Sequence, residues 1–457
     1  MKLKPFPHQI EGKNLMIQFK SCIQADDMGL GKTMQTILAI DEQKSFPCLI
    51  ICPASLKINW EEEVSAWSNR RAIILNDSIK NTFPLLYQAG IADYFIVNYE
   101  SLKKFFVIDI PKRKDFRLAD IVFNKYKDFF KSVVIDESHR IKDPTTIQAK
   151  ITAGMCINKK NVYCLSGTPV LNKTIELATQ LIVTDKIKHF GGYKKFMETY
   201  TDADEFSLKM LQKQLLENCM IRREKKNVLN LPPKTRQIIY VDIDNRDEYN
   251  AAKDDLRSYL RDYKGKSKSE ISRSMRGEVM VRIGLLKQIS GRGKIKAVME
   301  NIQSLFEQGE KVVLFGDNIE VLDPFKSIQG AVSIVGGMSV EDKQKSIDLF
   351  QKSDTHNLAV CSLKAAGVGV TLTAGRINCY IQMGWHAGIM EQAEDRQNRI
   401  GQKREVHCIY FIARNTIDKY IYDVIEKKRE ICNSIVGTTN DIEWEVICDV
   451  LDLLESE

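Results

Sequence analysis

The stretch DDMGLGKT, from Asp26 to Thr33, has the residue types and spacing that hold a phosphate chain. A glycine-rich turn that opens a helix lets backbone N–H groups close around phosphates, and apolar residues at helical spacing follow over 33–43. In such a turn Lys32 would reach the β- and γ-phosphates, and the Thr33 hydroxyl would hold Mg²⁺. An ordinary turn before a helix is the alternative, because Asp26 stands where the usual pattern has its first glycine.

Two adjacent carboxylates, Asp136 and Glu137, follow the apolar run SVVI and begin the sequence DESH. A carboxylate at the end of a buried strand beside a phosphate loop can hold Mg²⁺, mostly through water, and the next can orient or deprotonate the attacking water. We therefore assign the metal role to Asp136 and the role of base to Glu137. Alone the tetrapeptide is a weak signal, and its position after a phosphate loop makes it specific.

A second strand-end segment, LSGTP, contains Ser166 and Thr168. Its short hydroxyls and tight turn suit a sensor that contacts the Glu137 region and reports the nucleotide state. A plain strand-to-helix turn capped by Thr168 explains the same residues.

Two arginines in QAEDRQNRIGQ, Arg396 and Arg399, are three residues apart. At the start of a helix they would project from one face and could reach a γ-phosphate, where such arginines stabilise the charge that develops in phosphoryl transfer. An ion pair with Glu394 or Asp395 would explain one of the arginines but not the ordered set.

Length and composition limit the class of protein. The 457 residues are too many for one core, and 44% apolar with 28% charged residues is typical of a soluble globular protein without a signal peptide or membrane span. The net charge of +7 permits a polyanionic partner without requiring one. Eleven scattered cysteines indicate buried thiols in a reducing compartment. Cys48 and Cys52 have no second Cys/His pair nearby, so no zinc site is expected.

Short apolar runs alternate with helical patterns in two successive blocks. The first has strands at 48–52, 94–99, 132–137 and 161–167 and helices at 33–43, 56–67 and 146–154; the second has strands at 237–243, 311–317, 332–337, 357–362, 377–383 and 406–413. Strands buried on both faces and separated by helices predict an α/β fold with parallel sheets and covering helices. We place the domains at 1–232 and 233–457, with helical additions at about 172–230, 245–295 and 415–435. Within 261–294, ten Lys/Arg stand against three Asp/Glu, which indicates a solvated helix face or a polyanion contact equally.

Taken in order, these segments resemble the motifs of Swi/Snf-like ATPases of helicase superfamily two, a group related to the DEAD/DEAH-box proteins. DDMGLGKT resembles the family's DEMGLGKT with Asp27 for Glu, which accounts for Asp26 in place of glycine. The remaining similar segments span nearly the whole chain: PHQIEG at 7–12, ICPASLKINWEEEV, IVNYESL, DESH, LSGTPVLN, MIRREKKNVLNLPPK, VCSLKAAGVGVTLTAG and QAEDRQNRIGQ.

The resemblance implies two tandem RecA-like lobes with a C-terminal bracing helix, ATP and Mg²⁺ as cofactors, and DNA as partner. ATP would bridge and close a cleft between the lobes, and hydrolysis would reopen it. It implies a nucleotide site formed by Gln9, which would read adenine, together with Met28, Gly29, Leu30, Gly31, Lys32 and Thr33. It implies that nucleotide state and movement are coupled by His139, Ser166, Thr168 and Gln392. Candidate DNA contacts, each of which could instead be a helix cap or a solvated residue, are Ser55, Lys57, Tyr99, Ser101, Lys364 and Thr371.

The sequences ICPASLKINW and AAGVGVTLTA are most similar to those of the HARP-type annealing-helicase branch. The chain departs from the family at His386-Ala387, where Asn-Pro is usual, and at Ser290-Gly291, where many relatives have Asn-His-Pro. Neither departure is expected to abolish hydrolysis, but both weaken an assignment to a subfamily.

We expect a DNA-dependent ATPase that translocates along duplex or branched DNA and remodels or reanneals it. A conventional strand-separating DNA or RNA helicase is the alternative, and an inactive DNA-binding scaffold is a minor one. The length leads us to expect a monomeric motor without targeting domains. We expect it in the cytoplasm of a bacterial or phage-infected cell, or in the nucleus of a eukaryote. Its partners would be possible accessory replication or recombination proteins, and no membrane partner is expected.

Overall fold

The structure, a computed structural model, describes residues 4–113, 115–167, 176–201, 203–229, 231–261, 273–363, 370–385 and 387–433. The chain divides into two units, of which the first ends at Leu229, three residues before the predicted end at 232. Across the described ranges, no helix has both the length and the apolar character needed to cross a membrane.

The first unit contains a seven-stranded sheet in which every pairing is parallel. Apolar side chains cover both faces of its central strands, and all five residues of CLIIC are buried, which favours a parallel arrangement between layers of helices. The strands of this unit, with a separate antiparallel pair β5–β6, are β1 (Cys22–Gln24), β2 (Cys48–Cys52), β3 (Ala72–Ile74), β4 (Tyr94–Asn98), β5 (Val107–Asp109), β6 (Val122–Phe123), β7 (Ser132–Asp136), β8 (Asn161–Leu165) and β9 (Met220–Ile221).

Helices occupy the connections between these strands. They are α1 (Pro7–Phe19), α2 (Lys32–Gln43), α3 (Lys57–Trp67), α4 (Phe83–Gln88), α5 (Leu102–Phe106), α6 (Ile147–Cys156), α7 (Leu177–Val183), α8 (Tyr193–Tyr200), α9 (Glu205–Asn218) and α10 (Lys225–Val228).

The strand order of the first sheet, β3-β4-β2-β7-β8-β1-β9, brings the candidate motifs together. Strand β8 lies between β1 and β7, and because all three are parallel, the segments that follow them meet at one edge. Those segments are the phosphate loop after β1, the DESH turn after β7 and the turn at Ser166 after β8.

The second unit contains a six-stranded parallel sheet in the order β10-β15-β14-β11-β13-β12. Its strands are β10 (Lys234–Val241), β11 (Val312–Gly316), β12 (Ala331–Ile334), β13 (Leu358–Ser362), β14 (Ile377–Tyr380) and β15 (Val406–Ala413). Its helices are α11 (Arg246–Arg261), α12 (Arg273–Gly293), α13 (Ile295–Glu307), α14 (Ile319–Lys326), α15 (Val340–Lys352), α16 (Ala387–Glu394) and α17 (Ile417–Asn433).

Four of the cations in the basic run 261–294 are neutralised inside the second unit. The ion pairs join Arg282 to Asp255, Lys287 to Asp317, Arg292 to Glu248, and Lys294 to Asp418. Lys287 and Lys294 are buried. Ion pairing within the unit therefore accounts for the buried Lys287 and Lys294, and a polyanion contact of the rest of the run stays a prediction.

Candidate active site

The phosphate loop has the backbone that a glycine-rich turn requires. Gly29 and Gly31 have φ of +84° and +80°, in the left-handed region that favours glycine, and α2 begins directly after Gly31. A Cβ atom on Gly31 would lie 2.4 Å from Nε2 of Gln9, which donates to the Leu30 carbonyl at 3.3 Å. Gln9 therefore lies against the loop, and the positive end of α2 opens onto it.

Lys32 lies close to the phosphate loop, to the turn after β8 and to Glu137. Its Nζ donates to the carbonyl oxygens of Asp26 at 2.7 Å and Asp27 at 3.3 Å. A Cβ on Gly167 would lie 2.7 Å from Met28 Cγ and 3.5 Å from this Nζ, so the turn after β8 runs directly beside the loop. Burial lowers the pKa of the Lys32 ammonium, and the carboxylate of Glu137 is the largest opposing influence.

The carboxylate pair lies at the end of β7. Asp136 accepts hydrogen bonds from the Trp60 indole at 2.8 Å and from the Glu137 backbone N–H at 2.9 Å. Glu137 has φ of +52°, which is unusual for a residue other than glycine. Burial and the adjacent charge of Glu137 together raise the pKa of Asp136 to about 7.

These residues fit a magnesium ion. Mg²⁺ prefers oxygen ligands and keeps several waters, and the carboxylate of Asp136 and the hydroxyl of Thr33 are such ligands. The raised pKa of Asp136 reports two crowded carboxylates in a buried place, where a cation would relieve their repulsion. When bound, the ion would neutralise negative charge on the phosphates.

His139 connects the carboxylates to the neighbouring strand. Its Nδ1 lies 3.3 Å from Oε2 of Glu137 and 3.2 Å from Oγ of Ser166. Burial, followed by the nearby charges of Arg140 and Lys142, lowers the pKa of His139 to about 4. The ring is therefore neutral at physiological pH, and its Nδ1 contact with Ser166 joins the turn after β7 to the turn after β8.

Acidification should destabilise the first unit through His139. Its pKa is near 4 when folded and near 6.5 when unfolded, so the unfolded state binds the extra proton and stability falls from about pH 6.5 to pH 4. The contribution lost is on the order of 3 kcal/mol. Denaturant unfolding across this range should show a shallower loss for His139→Gln. The exposed His189 gives the control His189→Gln, and an equal loss in wild type and His139→Gln would contradict this prediction.

The predicted DNA contacts of the first unit lie on turns after neighbouring strands. Ser55 is exposed between β2 and α3, and Lys57 is half-buried at the start of α3. Ser101 is half-buried after β4 and donates to the Asn98 side chain at 2.8 Å. Since β2 pairs with β4, these turns are neighbours, and the three residues stay predictions.

Tyr99 requires a correction. Its side chain is 2% exposed, and its hydroxyl donates to the Asp136 backbone carbonyl at 2.6 Å. A ring held inside the unit in this way cannot reach a nucleic-acid phosphate. Tyr99 therefore positions the strand end that bears the carboxylates.

The arginine segment of the second unit also differs from prediction. Arg396 and Arg399 follow the end of α16 in a turn, not the start of a helix. Beyond the end of the helix at Glu394, the Arg396 carbonyl accepts from the Leu372 N–H at 2.9 Å. Arg396 is buried and donates to the Val370 carbonyl at 3.3 Å, whereas the half-buried Arg399 donates to Thr371 Oγ1 at 3.1 Å. The structure thus links the predicted DNA contact Thr371 to Arg399.

A buried ion cluster holds the residue at the end of α16. Glu394 is fully buried and lies 2.8 Å from the cationic nitrogens of Lys234, Arg236 and Arg429. The Tyr410 hydroxyl also donates to it at 2.6 Å. Although burial alone would raise its pKa, Lys234 and the two arginines hold the pKa of Glu394 well below its usual range. The cluster thereby ties the arginine turn to β10, β15 and α17.

Three of the predicted site residues are buried in a helix or lie outside the described residues, and two residues of the site were not predicted. Gln392 is buried within α16, and the predicted residues Thr168 and Lys364, like His386, lie outside the described residues. Trp60, which bonds Asp136, and Arg223, which bonds Asp26, lie in segments that resemble the family's motifs, but neither was assigned a role from the sequence.

The first unit has a glycine-rich loop and a carboxylate pair at the carboxyl edge of a parallel sheet, and the second is a parallel α/β unit with an arginine turn. Residues 8–291 match the SNF2-related domain, and residues 293–401 match the helicase conserved C-terminal domain. The first match covers more than half of the chain. The chain belongs to the SNF2-related family, the Swi/Snf-like ATPases of helicase superfamily two, and its α/β units are the two RecA-like lobes of that ATPase core. The predicted family and fold class are confirmed.

Individual relatives are distant in sequence. A Caenorhabditis elegans homolog of SWI/SNF-related matrix-associated actin-dependent regulator of chromatin subfamily A-like protein 1 is 29% identical over 94% of this chain and 61% of its own length. The human DNA annealing helicase and endonuclease ZRANB3 is 27% identical over 96% of this chain and 41% of its own length. The chain thus spans about three fifths of the length of the first of these proteins and about two fifths of the second. The solved SWI2/SNF2 ATPase core of Sulfolobus solfataricus in complex with dsDNA is 23% identical, covering 98% of this chain and 97% of that one, with a TM-score of 0.43.

Proposed function

We propose that this chain hydrolyses ATP when it binds duplex or branched DNA and uses the energy to move along the DNA and remodel or reanneal it. The observation that carries the proposal is the meeting of the phosphate loop, the Asp136–Glu137 pair and Ser166 at one sheet edge, in a chain of the SNF2-related family. A relative named as an annealing helicase supports reannealing as one outcome.

The chemistry follows from the groups at that edge. Lys32 and the loop N–H groups hold the phosphates, Gln9 contacts the adenine, and Thr33 with Asp136 binds Mg²⁺. Glu137 orients or deprotonates the attacking water. Arg396 and Arg399 stabilise the charge that develops on the transferred phosphoryl group.

Movement requires contacts that do not depend on base sequence. Ser55, Lys57, Ser101, Lys364 and Thr371 contact DNA phosphates, so affinity falls steeply with salt and sequence preference is slight. Arg399 donates a hydrogen bond to Thr371, so the proposed DNA contact and the proposed catalytic arginine are neighbours within the second unit.

ATP hydrolysis should be stimulated by duplex or forked DNA. The assay measures steady-state turnover with ATP and Mg²⁺ in the presence of duplex DNA, forked DNA, single strands and RNA, at low and moderate salt. Stimulation should be greatest with duplex or forked DNA and should fall as salt rises. Turnover stimulated by RNA alone would refute the proposal, and stimulation with strand separation would favour a conventional helicase. Annealing of complementary strands, measured with and without ATP, separates reannealing from simple tracking.

A further inference from the structure

The last segment of the first unit is bonded directly to the phosphate loop. Strand β9 pairs with β1 in parallel, and the residues after it continue alongside the loop. The Asp27 N–H donates to the Arg223 carbonyl at 3.0 Å, and the Lys225 N–H donates to Oδ2 of Asp27 at 2.8 Å. The chain leaves this unit four residues later, after Leu229.

The centre of this connection is the pair of Asp26 and Arg223. Asp26 is fully buried. Its Oδ1 accepts from the Arg223 backbone N–H at 2.9 Å and from Nε at 3.0 Å, and its Oδ2 accepts from Nη2 of the same guanidinium. A two-pronged guanidinium–carboxylate pair fixes direction as well as distance. The carboxylate at the position of the missing glycine is therefore a fixed anchor.

The same guanidinium also contacts the elements on either side of the loop. Nη2 donates to Oε1 of Gln35 in α2 at 2.8 Å, and Nη1 donates to the His8 carbonyl in α1. Gln35 in turn donates to the Leu30 carbonyl within the loop at 3.0 Å. A Cβ on Gly12 would lie 2.2 Å from Nη2, so the guanidinium reaches this place because residue 12 is glycine.

These hydrogen bonds fix the residues whose carbonyl groups bond Lys32. The two carbonyl oxygens that receive its ammonium belong to Asp26 and Asp27, the residues that Arg223 and Lys225 hold in place. We propose that Arg223 is a positioning residue for the nucleotide site, which acts through Lys32 and links the state of the phosphate loop to the segment 219–229. This inference rests on the proposed nucleotide site of Lys32 but not on DNA as the partner.

A purely structural ion pair would stabilise the unit without acting through Lys32, and a mutant cycle distinguishes the two roles. The readout is the Kd of a fluorescent ADP analogue with Mg²⁺, which requires no hydrolysis. Arg223→Lys keeps the charge but loses the two-pronged geometry and should weaken binding about tenfold, since displaced Asp26 and Asp27 carbonyls would misplace the Lys32 ammonium that bonds the phosphates. In the Lys32→Ala background the same change should have almost no further effect, because residues that act together are not additive.

Arg70→Met is the matched control for loss of an ion pair in the same unit, since Arg70 pairs with Asp93 at 3.2 Å and is well exposed. It should leave nucleotide affinity unchanged. Equal weakening by Arg223→Lys with and without Lys32 would overturn the proposal, and so would wild-type affinity in Arg223→Lys.

A second measurement needs no variant and decides the matter if Arg223→Lys does not fold. Hydrogen–deuterium exchange of the wild-type chain should show that ADP with Mg²⁺ protects residues 219–229 together with 24–33. Protection confined to 24–33 would refute the link. Nucleotide binding without stimulation by DNA would refute the proposed function alone, so the two failures are distinguishable.

Discussion

An Arg399→Ala variant should bind ATP and DNA but hydrolyse ATP about 10³–10⁵-fold more slowly than wild type, the range expected for loss of an arginine that stabilises the transferred phosphoryl group. Arg399 is the better of the two arginines to test, because it is half-buried whereas Arg396 is buried in the turn. The measurements are kcat for DNA-stimulated hydrolysis and Kd for nucleotide. A loss in kcat with an unchanged Kd identifies a transition-state role.

Arg414→Ala is the control for Arg399, since Arg414 is an exposed arginine of the same unit that pairs with Asp242 at 3.7 Å. Its turnover should match wild type. Wild-type turnover in Arg399→Ala would remove this residue from the site, and equal losses in affinity and kcat would indicate a ground-state role.

A Lys32→Ala variant should lose DNA-stimulated hydrolysis, by at least about 10²–10³-fold in kcat, as when a single preorganised donor to developing charge is removed. The lysine lies at the start of α2 near Asp136 and Glu137, so its loss removes the cation opposite both carboxylates. Nucleotide affinity should fall as well, because the proposed contact of Lys32 with the phosphates would form on binding and persist during hydrolysis.

Lys188→Ala provides a surface control for Lys32, since Lys188 is largely exposed and pairs with Asp185. Thermal unfolding of both variants checks that the first unit is intact. DNA-stimulated hydrolysis that survives in Lys32→Ala would overturn the assignment of the nucleotide site.

The sheets were largely predictable from the sequence because their central strands are runs of buried apolar residues. CLIIC was predicted as a strand at 48–52, and β2 has those bounds. Strand β1 was missed, although it carries the phosphate loop, because three residues give no periodic signal. Strand β9, with two residues, was missed for the same reason.

Site residues differ in how far their placement could be predicted from the local sequence. Asp136 and Glu137 could be placed at a strand end because the apolar run before them is local. The turn at Arg396 could not, since its contacts with Leu372 and with the residues that pair with Glu394 come from distant parts of the sequence. The partner of Asp26 is 197 residues away in Arg223, a distance over which one sequence carries no pairing signal.

At Glu137 the left-handed backbone lowers the stability of the fold, while the side chain is the one assigned to catalysis. A side chain in this conformation costs about 1–2 kcal/mol, which glycine would not. Replacement by glycine would relieve that strain and remove the carboxylate assigned as the base, so selection for stability alone would favour an inactive enzyme here. Engineering for thermal tolerance should therefore hold residue 137 fixed and seek its gains elsewhere in the chain.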